Sequence, residues 1–146
     1  MTALFEHSPW VEARADARPS SGDRHADLMA VVHDALPEEQ LALICAHPEL
    51  AGKAAIDRTL TDASAAEQAS AGLDRLSEAE FARFHELNAA YRERFGFPFI
   101  ICVRLTDKAG ILSAMEARLA NDRETEIATA IAQIGEIVRL RLEDMA

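Results

Sequence analysis

One run of this chain reads as a β-strand, Phe97-Pro-Phe-Ile-Ile-Cys-Val103, and it has no second strand to pair with. Pro98 keeps it out of a helix, and its aromatic and β-branched residues favour an extended backbone. A lone extended segment cannot make a sheet, so its backbone N–H and C=O groups must find other partners. The rest of the chain is patterned as helix. Only 6 Gly and 5 Pro interrupt 146 residues, of which 49% are apolar, and Ala, Leu, Ile and Glu are abundant. The expected fold is all-α: a single compact multi-helix domain over residues 1–146, with one short extended segment near 97–103. A chain of this length buries roughly 68–70% of its unfolded surface and needs no staples.

The helix boundaries are written locally. Ser8 is the expected N-cap of a short first helix, with Pro9 at its first position and Trp10 on its core side. Residues 16–23 form a loop, and Asp23 caps a helix carrying Leu28, Val31, Val32 and Leu36. Pro37 starts the next helix, which runs to about His47. Ser64-Ala-Ala-Glu67 and Ser77-Glu-Ala-Glu80 both fit the capping-box pattern. The first begins a short helix ending near Gly72. The second begins a long one with Phe81, Phe84, Leu87, Asn88 and Tyr91 on one side, stopping before Gly96. Two more helices run from about Asp107 to Leu119 and from about Arg123 to Glu143.

A net charge of −10 argues against a nucleic-acid or anionic-membrane surface, since both need clustered Lys and Arg. An anionic small substrate would need a local cation. Cys45 and Cys102 sit in separate apolar runs and read as buried thiols of a reducing compartment. No leader of the secretory kind is visible, and no stretch reaches about 18 apolar residues, so no membrane span is expected. The C-terminal Glu-Asp-Met-Ala is not a peroxisomal address, and the expected location is the cytoplasm. His7, His25, His33 and His85 show no metal-ligand spacing, and no phosphate-loop or dinucleotide glycine pattern occurs.

Three places can carry chemistry. His47-Pro48 stands where the apolar run 41–46 must stop, because Pro48 disfavours α geometry at the residue before it. The helix C-terminus favours imidazolium, while burial favours neutral imidazole. A histidine between those influences is placed for proton transfer near neutrality, or it is a C-capping residue with no chemistry. Ser64 and Glu67 are explained by capping alone. Yet a helix N-terminus also suits an anionic ligand, and a first-turn Glu67 can act as acid or base. In the last helix Ile127, Ile131, Ile134 and Val138 define an inner face that continues to Arg141. Arg139 lies about 140° from Ile134 and is expected outside. An inward guanidinium needs an anion, either a buried Asp or Glu or a substrate carboxylate.

Several segments together carry a resemblance. They are Phe-Glu-His-Ser-Pro-Trp at 5–10, Ala-His-Pro-Glu-Leu-Ala-Gly at 46–52, and Leu60-Thr-x-x-Ser64-x-x-Glu67-Gln68 with Ala-Gly-Leu at 71–73. After them come Phe84-x-x-Leu-Asn-x-x-Tyr91, Arg94-Phe-Gly-Phe-Pro-Phe-Ile-Ile-Cys-Val-Arg104, Arg118-Leu-x-Asn121 and Arg139-Leu-Arg-Leu142. In this order the set resembles the 2-oxo-4-hydroxy-4-carboxy-5-ureidoimidazoline (OHCU) decarboxylase family of urate degradation. The resemblance implies an all-α homodimer with no metal and no organic cofactor. It implies as substrate the imidazoline formed after urate oxidation and hydrolysis, and as products (S)-allantoin and carbon dioxide. It also implies His47 as catalytic histidine with Pro48 beside it, and substrate contacts from Ser64, Ala65, Ala66, Glu67 and Gln68. The main chain of Phe99, Ile100, Ile101, Cys102 and Val103 would contact substrate too, and Arg141 would pair with a substrate anion.

These implications meet the residue-level reading at one site. Decarboxylation without a cofactor needs a substrate that accepts the electron pair, and a ring C=N and carbonyl can do so. The protein then orients the carboxylate, stabilises developing negative charge and delivers a proton to one face. His47 and Glu67 suit the proton handling, with their two roles interchangeable at this point. A different class of function is a non-catalytic helical ligand-binding or interaction module of the same fold. A third is a hydrolase that uses His47 and Glu67 on a related ureido compound.

Overall fold

The computed structural model describes residues 4–5, 8–47, 50 and 62–145, with Asp62 and Ser64 by their backbone alone. Seven α-helices and one 3-10 turn occur among the described residues, and no strand. The helices are α1 Trp10–Asp16, α2 Arg24–Asp34, α3 Pro37–Cys45, α4 Asp62–Ser70, α5 Glu78–Phe95, α6 Lys108–Arg118 and α7 Arg123–Met145. The 3-10 turn is Val103–Leu105.

Most boundaries follow from short polar side chains satisfying the first N–H groups of a helix. Asp23 accepts from Ala26 N (3.1 Å) at α2, and Asp107 from Gly110 N (2.8 Å) at α6. Ser77 and Glu80 form the expected capping box at α5, with reciprocal bonds of 3.1 and 2.9 Å. That helix stops at Gly96, whose φ of 82° is the left-handed geometry glycine adopts without a Cβ penalty.

Four local expectations change. The N-cap of α1 is Pro9, in helical geometry, rather than Ser8, which is buried. Leu36 is no inner residue of α2. It is the extended N-cap of α3, 58% exposed, and its N–H donates to Glu39 Oε1 (3.1 Å). Phe81, in the first turn of α5, is 37% exposed and stacks on His85. The fourth change is at α4, which already contains Ser64 rather than starting from it as a cap. Asp62 and Ala63 extend the helix toward the N-terminus, and alanine favours the helical backbone there.

α7 is the longest element and packs on α2 and α3. Against α2 the approach is close: a Cβ built on Gly135 would lie 3.2 Å from Met29 Cε. His25 Nε2 donates to the Gly135 carbonyl across the same contact (2.9 Å). Glycine there gives up helix propensity and gains proximity. α1 packs on α2, α5 on α6, and α4 on the 3-10 turn. The core between them includes Val11, Leu28, Val32, Leu43, Ile44, Phe84, Ile111, Met115, Ile134 and Val138. Inside α7 the expected face holds: Ile131, Ile134, Val138 and Arg141 are buried, while Arg139 pairs with Glu136 and Glu143 at the surface.

The segment after Gly96 is extended and pairs with no strand among the described residues. Side chains from the two following helices meet its backbone. Arg118 Nη1 of α6 donates to the Ile100 carbonyl (2.7 Å), and the Cys102 N–H donates to Gln133 Oε1 of α7 (2.8 Å). Arg118 lies 4.2 Å over the Phe99 ring, and its Nε donates to Glu126 (2.8 Å), which is fully buried. Tyr91 Oη and Asn121 Nδ2 complete that carboxylate's partners at 2.7 and 2.8 Å. A buried charge so thoroughly hydrogen-bonded is tolerated, and it pins the segment to α5, α6 and α7 at once.

Candidate active site

α3 ends at Cys45, Ala46 is its C-cap, and His47 stands next, two residues past the last helical one. The ring turns back so that Nδ1 lies 3.0 Å from the Leu43 carbonyl. A carbonyl only accepts, so Nδ1 carries the proton and Nε2 bears the lone pair of the neutral ring. His47 therefore does cap the helix. The cap also fixes the tautomer and aims a buried imidazole, 7% exposed, at a pocket. The expectations for Pro48 and for the side chain of Ser64 lie outside the described residues.

That pocket, with about 450 Å³ of empty space that includes its opening to solvent, lies between His47, α4, α7 and the extended segment. His47, Glu67, Gln68 and Arg141 line it together with Phe99, Ile100, Ile101, Cys102 and Val103, all anticipated from sequence. Ala65 is exposed and outside it, because it lies on the side of α4 roughly opposite Glu67. Ala66 faces a neighbouring outer groove that shares Glu67, Arg104 and Arg141 with the pocket. Leu50, Arg104 and Ile137 complete the lining, and sequence reasoning missed all three. Ile137 was within reach: it precedes Arg141 by one helical turn. Arg104 closes the extended run but carries no periodic signal of its own.

Glu67 and Arg141 meet each other across the fold. Arg141 Nε and Nη2 hold Glu67 Oε2 and Oε1 at 2.8 and 2.7 Å, a bidentate pair across 74 residues. Its Nη1 donates to the Leu4 carbonyl (3.2 Å). Glu67 is thus no capping-box residue, and the anion that Arg141 required inside the fold is Glu67. The two side chains are only 3% and 12% exposed, so the fork is strong and fixed.

The segment opposite offers backbone polarity. The Ile100 carbonyl and the Cys102 N–H are held by Arg118 and Gln133, and the Cys102 and Val103 carbonyls by the 3-10 turn. The N–H groups of Phe99, Ile100, Ile101 and Val103 and the carbonyls of Phe99 and Ile101 have no partner among the described residues. These are the groups available to a polar ligand. Burial pushes the Cys102 thiol up, with the Glu67 charge adding to the effect, which favours the protonated sulfur.

A small pocket in an all-α fold, lined by an oriented imidazole, a clamped carboxylate and unpaired main-chain groups, is the equipment of an acid–base enzyme for a small polar molecule. The chain belongs to the OHCU decarboxylase family, whose family model matches residues 1–143. It is 44% identical to the 2-oxo-4-hydroxy-4-carboxy-5-ureidoimidazoline decarboxylase of Haloferax volcanii, over 97% of this chain and 83% of that one. It is 42% identical to the uric acid degradation bifunctional protein PucL of Bacillus subtilis, covering 98% of this chain and 29% of the longer protein. Among solved structures, a crystal structure of (S)-allantoin synthase matches with a TM-score of 0.70 at 30% identity, over 97% of this chain and 46% of that one.

Proposed function

We infer that this protein is a carboxy-lyase that converts 2-oxo-4-hydroxy-4-carboxy-5-ureidoimidazoline to (S)-allantoin and carbon dioxide in urate degradation. The observation that carries the reading is that His47, Glu67 and the extended segment, far apart in sequence, line one pocket in a chain of this family.

In the reaction the bond from ring carbon to carboxylate breaks and its electron pair moves into the adjacent ring C=N, whose nitrogen takes up a proton. The neighbouring hydroxyl then gives up its proton to become a carbonyl, and the ring carbon bearing the ureido group gains one. Carbon dioxide leaves, and one proton is gained overall. The substrate supplies the electron sink, so the protein supplies position and proton transfer. His47 and Glu67 are assigned those transfers. Nε2 of His47 is the basic atom because Nδ1 is tied to Leu43, and Glu67 is held at a fixed angle by Arg141. The unpartnered backbone groups from Phe99 to Val103 read the ureido-imidazoline edge. Protonation from one side of the ring gives a single hand of product.

The same reading takes residues 1–146 as a single domain that works as a cytoplasmic homodimer. Supporting it, no helix among the described residues is long and apolar enough to cross a membrane, and both cysteines are free thiols, Cys102 buried as expected and Cys45 exposed, against the expectation from its apolar run. The test supplies freshly generated substrate and follows circular dichroism. Optically active allantoin, formed faster than the racemising background, is the expected result. Racemic product at the spontaneous rate would overturn the assignment.

A further inference from the structure

We propose that Arg104 is the cation that captures the substrate's carboxylate, and that Asp144 occupies its place when the pocket is empty. The proposal rests on the decarboxylase reading and goes beyond it in assigning the anion site. A substrate that loses carbon dioxide must arrive as a carboxylate, and a carboxylate entering a pocket needs a charged partner. Among the described residues, two arginines line this one. Arg141 is committed: its side chain is 3% exposed, two of its nitrogens hold Glu67, and the third holds the Leu4 carbonyl. To turn toward substrate it would leave Glu67 as a buried carboxylate stripped of its partner, a costly exchange.

Arg104 is differently placed. It sits in the 3-10 turn that ends the substrate-facing segment, and it lines both the pocket and the outer groove leading past Glu67 and Arg141. Its Nη1 and Nη2 donate to the two oxygens of Asp144 at 2.7 and 3.2 Å. That partner is weakly held. The two side chains are 31% and 59% exposed, and surface pairs of this kind contribute little. Asp144 also lies in the last turn of α7, where the helix dipole disfavours a negative charge. A planar carboxylate is therefore already gripped by both arms of Arg104, in a pair that another carboxylate can exchange at small cost.

The placement also suits the chemistry. A cation that gripped the leaving carboxylate firmly in a buried site would stabilise the ground state and slow the loss of neutral carbon dioxide. An exposed guanidinium recruits the anion and gives little resistance to its disappearance. Once carbon dioxide has formed, Arg104 returns to Asp144.

Steady-state kinetics on Arg104→Gln, Arg104→Lys and Asp144→Asn, with thermal midpoints alongside, tests the exchange. Arg104→Gln should raise KM by roughly tenfold, the scale of one modest charge contact, with kcat within a few-fold of wild type. Arg104→Lys should recover part of that loss. Asp144→Asn should lower KM, because it removes the competing carboxylate. Arg139→Gln, in surface pairs and not among the residues that line the pocket or the groove, is the control. Opposite signs for the two partners of one ion pair are not produced by a structural role, which would raise KM in both and track the thermal midpoints. Equal impairment of Arg104→Gln and Asp144→Asn, an unchanged KM in Arg104→Gln, or a loss confined to kcat would overturn the proposal. Wild-type enzyme that forms no chiral allantoin would instead bring down the decarboxylase reading, and this proposal with it.

Discussion

Glu126 is fully buried, and its carboxylate receives Tyr91, Arg118 and Asn121. Burial, then the hydrogen bond to Glu126, pushes the Tyr91 phenol well above its ordinary value of 10.0. The folded protein thus keeps a proton that the unfolded chain releases near pH 10. The stability Tyr91 contributes is complete below that pH and is lost as pH rises beyond it. Tyr91→Phe should cost about 1–2 kcal/mol near neutrality, since Arg118 and Asn121 still serve Glu126. The gap from wild type should close above pH 10. Urea unfolding of both proteins on each side of that pH checks it, and a constant gap would show that the phenol does not titrate differently in the two states. At this scale the helix phase of α7 was legible: it put Arg141 inside and Arg139 outside. The identity of the inner anion was not, because a periodicity says which way a residue points and nothing about what another helix brings to meet it.

Among the elements, the extended segment was readable because Pro98 and the missing second strand leave it no other conformation. Its anchors were not readable. Arg118 and Gln133 lie 18 and 31 residues from the groups they hold, on separate helices, and each is locally an ordinary helical residue. The start of α4 was misread for a related reason. Ser64 and Glu67 have capping-box spacing, but the carboxylate is taken by Arg141 from across the fold, a tertiary pairing that no local pattern encodes. Gln133→Leu should leave the Cys102 N–H without its acceptor. The expected result is about 1–3 kcal/mol lost in chemical denaturation, with a lower kcat/KM because the substrate-reading backbone loses a support. Unchanged stability and unchanged kcat/KM together would remove Gln133 from the account of the segment. Gly96→Ala should cost about 1–2 kcal/mol although nothing lies within 4 Å of its added Cβ, because the cost is in the positive φ and not in space. A thermal midpoint unchanged from wild type would contradict that.

For the molecule as a whole, one contiguous core joins residues from Leu4 to Val138, so the chain is expected to unfold as a unit. Far-ultraviolet circular dichroism and the fluorescence of Trp10 should give superimposable denaturation curves, and two separated transitions would contradict the single-domain reading. The central claim is that this fold exists to hold one imidazole against one substrate. His47→Asn tests it most directly, because the asparagine amide can still donate to the Leu43 carbonyl while the group that titrates near neutrality is gone. The variant should keep wild-type helicity and a thermal midpoint within a few degrees, while the rate of chiral allantoin formation falls by about 10²-fold or more. A folded His47→Asn protein that still makes (S)-allantoin within a few-fold of the wild-type rate would contradict the claim.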